Sequence, residues 1–390
     1  MDRKPSGAYV DIRDPVLGFY SAFIPKKLME DIPAVDSELG TLEASASHAL
    51  GSLDAIVDFL PDKNTFLFSY LRKEAVLSSQ IEGTQSSISD LLLYENNETP
   101  GVPLEDVEEV STYIQAVNHG EKALKSGRTI DQILIKELHA ILLSKGRGSN
   151  KLPGMIRDRQ NWVGGEKPGS AQYVPPPPGE ALGELIDDFV FFMNETSLNM
   201  PPIRRAGIMH AQFESIHPFY DGNGRIGRML LSLSLSQHGM LREPLLYLSL
   251  YLKHRRLRYY DLLQNVREES GWNDWLTFFY TGVTEVARGA HKTALELLAL
   301  FENDKERIES NNAGRFSGTM IRVHELFKKK IIVAPKQIIE ALDISAPTAM
   351  KAVRSLHQLG IITEITGKQR YSIYSYTKYL DRLNEGAEPI

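Results

Sequence analysis

The stretch from His217 to Arg228 constrains this chain more than any other, because a histidine, an aspartate, two arginines and three glycines share twelve residues. Residues 203–216 before it carry apolar side chains suited to a core helix, and Pro218 ends that helix just after the histidine. Residues 226–235 behind it are apolar on most sides, which is typical of a buried helix. The pattern therefore predicts two core helices joined by a glycine-rich turn.

The turn has the chemistry of a phosphate site. Gly222 and Gly224 permit positive φ and let a ligand approach the main chain, so successive N–H groups at the start of the second helix can point at one anion. The positive end of the helix dipole lies there, and we expect Arg225 and Arg228 to be mobile cations that fork onto phosphate oxygens. A nucleoside triphosphate fits such a cradle.

Two further side chains supply a metal ligand and a base. Asp221 is a hard oxygen ligand that suits Mg²⁺ shared with phosphates, and His217 is expected to titrate near neutral pH. An ordinary turn with a helix cap, and a structural histidine, are the alternatives. The formal Gly-x-Gly-x-x-Gly from Gly222 to Gly227 does not indicate a dinucleotide fold, because that motif follows a strand and here a predicted helix precedes it.

Composition limits the class of protein. A chain of 390 residues, 24% charged and 42% hydrophobic, is long enough for two or three soluble domains. Because cysteine is absent, disulfides, a thiol nucleophile and a cysteine metal site are excluded. The sequence shows neither a signal peptide nor an apolar run of about 18 residues, so we expect a cytoplasmic protein with no membrane segment. The formal net charge of −6 argues against nucleic-acid coating by the whole molecule.

The first hundred residues contain one unusual side chain. Residues 1–60 are expected to be irregular at first and helical near 35–59, whereas residues 66–81 form a better amphipathic helix that Gly83 ends. Glu82 then places a carboxylate at the negative end of the helix dipole. Either a basic group compensates it or it is a solvated glutamate, and the pattern leaves both open.

The middle of the chain reads as further helices and one exposed hairpin. The segments 104–124, 130–143, 181–194 and 272–283 have structural helical patterns. Residues 154–165 and 173–178 alternate in part around glycines and prolines, which predicts a short hairpin that either docks a protein strand or connects two elements. Tyr259 and Tyr260 lie on a predicted helix and either stack on a base or belong to the core.

The C-terminal segment has a different composition. Residues 315–390 hold 12 Lys and Arg against 7 Asp and Glu, a net charge of +5 that follows a charged helix near 288–312. Residues 335–342 and 345–356 predict a helix-turn-helix, and residues 361–373 a hairpin turning at Gly367. Such a winged module binds DNA in some proteins and docks protein in others. We expect it to be separable near residue 312, because every candidate site residue lies upstream.

The central stretch matches without a gap the signature of the Fic family, His-x-Phe-x-Asp/Glu-Gly-Asn-Gly-Arg-x-x-Arg. Residues 78–83, Ser-Ser-Gln-Ile-Glu-Gly, resemble that family's inhibitory motif, Ser/Thr-x-x-x-Glu-Gly/Asn. The resemblance implies a mainly α fold, with a helical Fic core, a small β-hairpin flap and a C-terminal winged helix-turn-helix. The implied domains are an N-terminal region with an inhibitory helix at 1–100, the Fic catalytic core at 101–287, a helical linker at 288–314 and the winged module at 315–390.

The resemblance also implies a protein adenylyltransferase, which moves AMP from ATP to a Ser, Thr or Tyr hydroxyl of a target protein and releases pyrophosphate. His217 would be the catalytic base and Asp221 the Mg²⁺ ligand, with Ser78, Glu82 and Gly83 inhibitory through a pair between Glu82 and Arg228. Asn223 and the glycine amides would grip phosphate oxygens, and Arg225 and Arg228 would bind the β and γ phosphates. The implied nucleotide-binding residues are Glu82, Val163, Gly164, Gly222, Asn223, Gly224, Arg225, Ile226, Gly227, Arg228, Tyr259 and Tyr260.

Partners and alternatives stay open at this point. The target protein would bind along flap residues 159–165, and self-modification and a homodimer are further expectations. A hydrolase that removes AMP from modified protein would use the same pocket, with Glu82 positioning water. A DNA-binding regulator would act through the C-terminal module instead.

Overall fold

The computed structural model describes residues 5–34, 36–60, 63–311, 315–367 and 372–388, and these form a mainly helical fold, as predicted. The helices are α1 (Leu39–Ile56), α2 (Lys63–Ile81), α3 (Ile88–Glu95), α4 (Leu104–Lys125), α5 (Gln132–Leu142), α6 (Glu180–Asn194), α7 (Pro202–Ile216), α8 (Asn223–Gln237), α9 (Ser249–His254), α10 (Arg256–Glu269), α11 (Trp272–Asn311), α12 (Arg315–Lys330), α13 (Pro335–Leu342), α14 (Ala346–Gln358) and α15 (Thr377–Asn384). The strands are β1 (Gly7–Asp14), β2 (Gly18–Pro25), β3 (Ile332–Val333), β4 (Thr363–Glu364) and β5 (Tyr374–Ser375).

The predicted pair of core helices lies at the centre of the molecule. α7 starts with Pro202 at its first position, where the missing N–H costs nothing, and α8 starts after Gly222, whose φ is +75°. α8 packs against α7, α4, α5 and α2. Because side chains on nearly every face of α7 and α8 are buried, the turn between them is held on both sides by core packing.

The N-terminal segment corrects the sequence prediction, since residues 7–25 form a hairpin rather than irregular chain. β1 and β2 pair antiparallel, from Gly7 opposite Pro25 to Asp14 opposite Gly18. The Asp14 carboxylate accepts the N–H groups of Val16 and Leu17 at 2.8 Å each, and Gly18 takes a φ of +83°. The proline at position 15 therefore lies in a hairpin turn that Asp14 closes.

The flap has less regular pairing than the predicted hairpin. Its pairing is a single β-bridge, in which Val163 donates its N–H to Tyr173 and accepts one from Gln172, at 2.8 and 3.0 Å. Gly164 and Gly165 both have positive φ, and the four prolines at 175–178 carry no N–H to extend the ladder. The flap is anchored on the other side, because Phe23 of β2 donates its N–H to Val174 at 2.9 Å.

The C-terminal segment contains the predicted helix-turn-helix. α13 and α14 are joined by a short turn, and Ser345 caps α14 through its hydroxyl. β3, β5 and β4 form a three-stranded antiparallel sheet in that order. Gly367 has a φ of +65°, while the remaining tip of the predicted hairpin, at 368–371, lies outside the described residues.

This segment packs against the core, which argues against the expected separability near residue 312. The helix predicted at 272–283 continues without a break to Asn311, so α11 also takes in most of the predicted helical linker. Tyr379 of α15 is fully buried and donates its hydroxyl to Ser69 of α2 at 2.8 Å. Gln337 donates to Asn96 at 2.7 Å. α12 and α15 thus cover the outer side of α2.

Truncation after residue 312 is therefore expected to destabilise the protein instead of releasing an active fragment. The cut removes the buried side chains of Tyr379 and Leu383 from their packing, and each large apolar side chain contributes about 1.5–3 kcal/mol. A chain of residues 1–312 should be insoluble or unfold at a clearly lower temperature by circular dichroism. An equal melting temperature for the truncated and native chains would show that the C-terminal segment adds nothing to the core.

Candidate active site

A cavity of about 550 Å³ opens above the turn between α7 and α8. Of the residues singled out from the sequence, it brings together Glu82, Val163, Gly164, His217, Gly224, Arg228, Tyr259 and Tyr260. Residues from the segment after α2, the flap, α7, α8 and α10 therefore face one space.

His217 lies at the C-terminal end of α7 in the left-handed region, with a φ of +50°. Its main-chain carbonyl accepts a hydrogen bond from Nε of Arg157 at 2.9 Å. Burial, followed by the charges of Arg157 and Arg267, lowers the pKa of His217 to about 3. The expectation of titration near neutral pH is wrong, and the ring is neutral, with a nitrogen available to accept a proton.

Asn223 closes the turn. Its side-chain oxygen accepts the N–H of Phe219 at 2.9 Å, and its nitrogen donates to the carbonyl of Phe219 at 2.8 Å. The ring of Phe219 stacks on His139 at 3.7 Å, and His139 contacts the carbonyl of Asp221 at 3.0 Å. The Asn223 side chain therefore holds the turn, and its main-chain N–H lies in the first turn of α8. The predicted contact of Asn223 with phosphate oxygens stays a prediction.

Both arginines of the turn are buried and held in ion pairs, whereas the sequence predicted mobile cations. Arg225 has a side chain only 3% exposed and pairs with the buried Glu109 at 2.9 Å, outside the cavity lining. Arg228 lines the cavity, and its Nη2 pairs with Glu82 at 2.8 Å. Ser78 accepts from Arg228 twice, at its hydroxyl and its carbonyl, both at 2.9 Å. Carboxylates hold both cations because an unpaired buried arginine is costly.

Glu82 lies directly after α2, with its carboxylate against the first turn of α8. A Cβ on Gly224 would come within 2.4 Å of Glu82 Oε1, so a side chain at this position would displace the carboxylate from where it lies. Burial alone would raise the pKa of Glu82, but the Arg228 guanidinium holds it below its ordinary value. The carboxylate thus lies at the helix N-terminus, where the dipole and free N–H groups favour an anion.

Asp221 remains outside the cavity lining, and its side chain is 42% exposed. Its Oδ1 accepts the N–H of Gly222 at 2.6 Å. Within the described ranges no group of three His, Asp or Glu side chains could hold a metal ion by itself. One exposed carboxylate fits a Mg²⁺ ion that takes its other oxygen ligands from phosphates and water.

The two tyrosines of α10 differ in exposure. Tyr259 is fully buried, and its hydroxyl lies 2.9 Å from Nε2 of His210. Tyr260 is exposed, and the guanidinium of Arg256 lies 5.6 Å from its ring centroid. Tyr259 is thus a core side chain that also borders the cavity, whereas the ring of Tyr260 is available for stacking.

Three cavity or turn residues were missed by the sequence analysis. Glu214 lies one turn before His217, lines the cavity, and has its pKa raised to about 7 by burial. Arg267 of α10 donates to the carbonyl of Glu214 at 3.1 Å, and Arg157 supports His217 from the flap side. Glu214 could have been predicted as a site residue, because it lies three residues before His217 and hence on the same side of α7. The two arginines are distant in sequence and carry no local signal.

Comparison with known proteins defines the class. Residues 129–235 match the model described as Fic/DOC family, and residues 41–122 match that described as Fic/DOC family N-terminal. This chain is a Fic-domain protein, which confirms the resemblance drawn from the signature.

Its curated relatives match over part of their length. The protein adenylyltransferase fic-1 of Caenorhabditis elegans is 38% identical over 111 residues, which cover 28% of this chain and 20% of the relative. The protein adenylyltransferase Fic of Drosophila ananassae is 32% identical over 186 residues, 47% of this chain and 32% of the relative. The chain thus spans about a fifth to a third of the length of these relatives.

Solved structures share the fold at low identity. A Fic family protein from Desulfovibrio desulfuricans superposes with a TM-score of 0.57 at 17% identity, over 88% of this chain and 96% of that one. Fic-1 from Caenorhabditis elegans superposes with a TM-score of 0.51 at 23% identity, over 67% and 74% of the two chains.

Among the described helices, none is long and apolar enough to cross a bilayer.

Proposed function

We propose that this chain transfers AMP from ATP to a Ser, Thr or Tyr hydroxyl of a target protein, and that Glu82 restrains the reaction. One observation carries the proposal: His217, the N-terminus of α8 and Arg228 face the same cavity, and the Glu82 carboxylate holds that arginine. Relatives that match the Fic domain are named protein adenylyltransferases, which supports the same reaction.

The reaction needs a base and a cradle. His217 accepts the proton of the target hydroxyl while the hydroxyl oxygen bonds to the α-phosphorus of ATP. The bond from the α-phosphorus to the bridging oxygen of the β-phosphate breaks, and pyrophosphate leaves. N–H groups in the first turn of α8 and the charge of Arg228 stabilise the phosphates, and positioning with electrostatics supplies most of the rate.

Other residues orient these groups. The pair of Arg225 with Glu109, together with Asn223, holds the turn so that its N–H groups converge. Asp221 would hold Mg²⁺, which when bound neutralises phosphate charge. Val163 and Gly164 border the cavity on the flap side, where a target segment would bind along residues 159–165.

Glu82 restrains the reaction in two ways. It occupies Arg228, which the γ-phosphate requires, and it places a negative charge at the N-terminus of α8, where phosphate has to lie. ATP therefore competes with a carboxylate of this chain. The pair also supplies the basic partner that the unfavourable dipole position of Glu82 calls for.

The test is incubation of the purified chain and a cell extract with ATP labelled either at the α or at the γ phosphate. Label transferred to protein from the α position but not from the γ position supports AMP transfer. Transfer from the γ position, or no transfer by either the native chain or Glu82→Gly, contradicts it. Loss of label from a protein that already carries AMP would instead support the hydrolase alternative. Label on the chain itself would reveal self-modification, and gel filtration would report a homodimer.

A second candidate activity, DNA binding, rests on the exposed face of α14. Thr348 is partly exposed and Lys351 and Arg354 are exposed on the second helix of a helix-turn-helix that is followed by a small sheet. In such modules this helix enters the major groove.

We expect duplex binding that weakens steeply between about 50 and 200 mM salt, and that falls when Lys351 and Arg354 are both replaced with alanine. Fluorescence anisotropy with a selected duplex measures it, and Lys292→Ala on exposed α11 is the matched control. Failure to enrich any duplex from a random pool would count against DNA as the partner.

A further inference from the structure

The last turn of α2 is held by the end of the chain. Gln80, two residues before Glu82, is almost fully buried. Its Nε2 donates to the carbonyl of Ala387 at 3.0 Å and to that of Ser86 at 2.8 Å. Its Oε1 accepts from Nζ of Lys253 at 2.7 Å, and the same ammonium donates to the carbonyl of Glu388. A single buried amide thus joins α2, α9 and the C-terminal residues.

The same contact continues along α2. Nζ of Lys73 donates to the carbonyl of Glu385 at 2.7 Å, two turns before Gln80. Burial lowers the pKa of Lys73 to about 8, so its ammonium depends on this hydrogen bond and on nearby Glu385 and Glu388. Ser69 accepts from Tyr379, a further turn back. The C-terminal residues therefore follow α2 over most of its length.

α2 has two differently held faces. Ser78 and Glu82, four residues apart, share the face that contacts Arg228. Lys73 and Gln80, seven residues apart, share the face that contacts residues 385–387. The helix is clamped between α8 and the end of the chain, so the position of Glu82 depends on both.

We propose that residues 385–388, Gln80 and Lys253 form a C-terminal tether that positions Glu82 on Arg228. The tether rests on the inhibitory role of Glu82 given above. Helix ends fray when their packing and hydrogen bonds are lost, and Glu82 follows the final residue of α2. Releasing the tether lets the carboxylate leave Arg228 while the remaining active-site groups stay in place. Gln80 and Lys253 are positioning residues, since neither lines the cavity.

The test compares three ways of releasing the tether: a chain that stops at Asn384, Gln80→Leu and Lys253→Met. Gln80→Leu and Lys253→Met each remove the polar group and keep similar volume, and both keep residues 385–388. Lys336→Ala, at an exposed lysine of α13, is the control. Labelling from ATP at the α-phosphate and hydrogen exchange at residues 78–82 are measured on each, with melting temperature as the check on folding.

Each release removes two or three of these hydrogen bonds, and water partly replaces them, so exchange at residues 78–82 should speed up and labelling should rise by about fivefold to thirtyfold. In a Glu82→Gly background the same changes should add nothing, because the restrained group is gone. Faster exchange with unchanged labelling, or unchanged exchange in folded Gln80→Leu, overturns the tether. If Glu82→Gly itself transfers no label, the proposed function fails instead, while hydrogen exchange still reports whether the tether holds α2.

Discussion

Replacing His217 with alanine is expected to abolish AMP transfer while ATP binding persists. The ring lies at the cavity with a nitrogen free to take a proton, whereas the phosphates are held by the N-terminus of α8 and by Arg228. A positioned base contributes about 10² to 10⁴ in rate. Labelling from ATP should therefore fall by at least that factor in a Glu82→Gly background, where basal activity is measurable. Nucleotide affinity by calorimetry should change little.

The matched control is His357→Ala, because His357 is an exposed histidine of α14 far from the cavity. In the Glu82→Gly background, His357→Ala should label target protein as fast as Glu82→Gly alone. Undiminished labelling by His217→Ala would refute the assignment of the base. Equal loss of labelling and of ATP affinity would show that His217 holds the nucleotide or the turn rather than the proton.

The local features of this site could be read from the sequence because they depend on neighbours along the chain. Pro218 ends α7, and the glycine at 222 takes the positive φ that starts α8. The contacts of the Asn223 and Arg225 side chains could not be predicted from the sequence in the same way. Whether a side chain faces a ligand or a buried partner depends on Glu109 and on the folded turn, and Glu109 lies 116 residues away.

The flap and the docking of the C-terminal segment illustrate the same limit. Each half of the flap has weak strand character alone, and its anchor is Phe23 of β2, which is distant in sequence. The C-terminal module was recognised from its own pattern, but its docking on α2 was not, because Tyr379 and Ser69 give no pairwise signal along the chain. The positions of these segments therefore depend on long-range packing, which hydrophobic periodicity along the chain does not predict.

Glu82 is the exception, since a local anomaly indicated a long-range partner. A carboxylate at the negative end of a helix called for compensation, and Arg228 supplies it at 2.8 Å. The side chain of Arg228 is 2% exposed and that of Glu82 is 34% exposed. The carboxylate side of the pair is thus partly exposed, so water or phosphate can replace the carboxylate.

Glu82→Gly is therefore expected to activate the enzyme. A hydrogen bond to a charged group contributes about 1.5–3 kcal/mol, so releasing Arg228 corresponds to a gain of about tenfold to a hundredfold in labelling from ATP. The loss of stability should exceed the 0–1 kcal/mol of an exposed pair and stay below the 3–5 kcal/mol of a buried one, because Ser78 still binds Arg228 and the cavity admits water.

Two variants test whether the faster labelling by Glu82→Gly depends on Arg228. Arg228→Ala combined with Glu82→Gly should erase it, since one arginine serves both the carboxylate and the γ-phosphate. Glu95→Gln is the matched control, because it breaks the pair of Arg72 with Glu95, which also ties α2 to a neighbouring helix, without touching α8. It should leave labelling at the native level. A folded Glu82→Gly protein that labels no faster than the native chain would contradict the inhibitory role of Glu82. Loss of AMP removal in that variant would identify Glu82 as the residue that positions water.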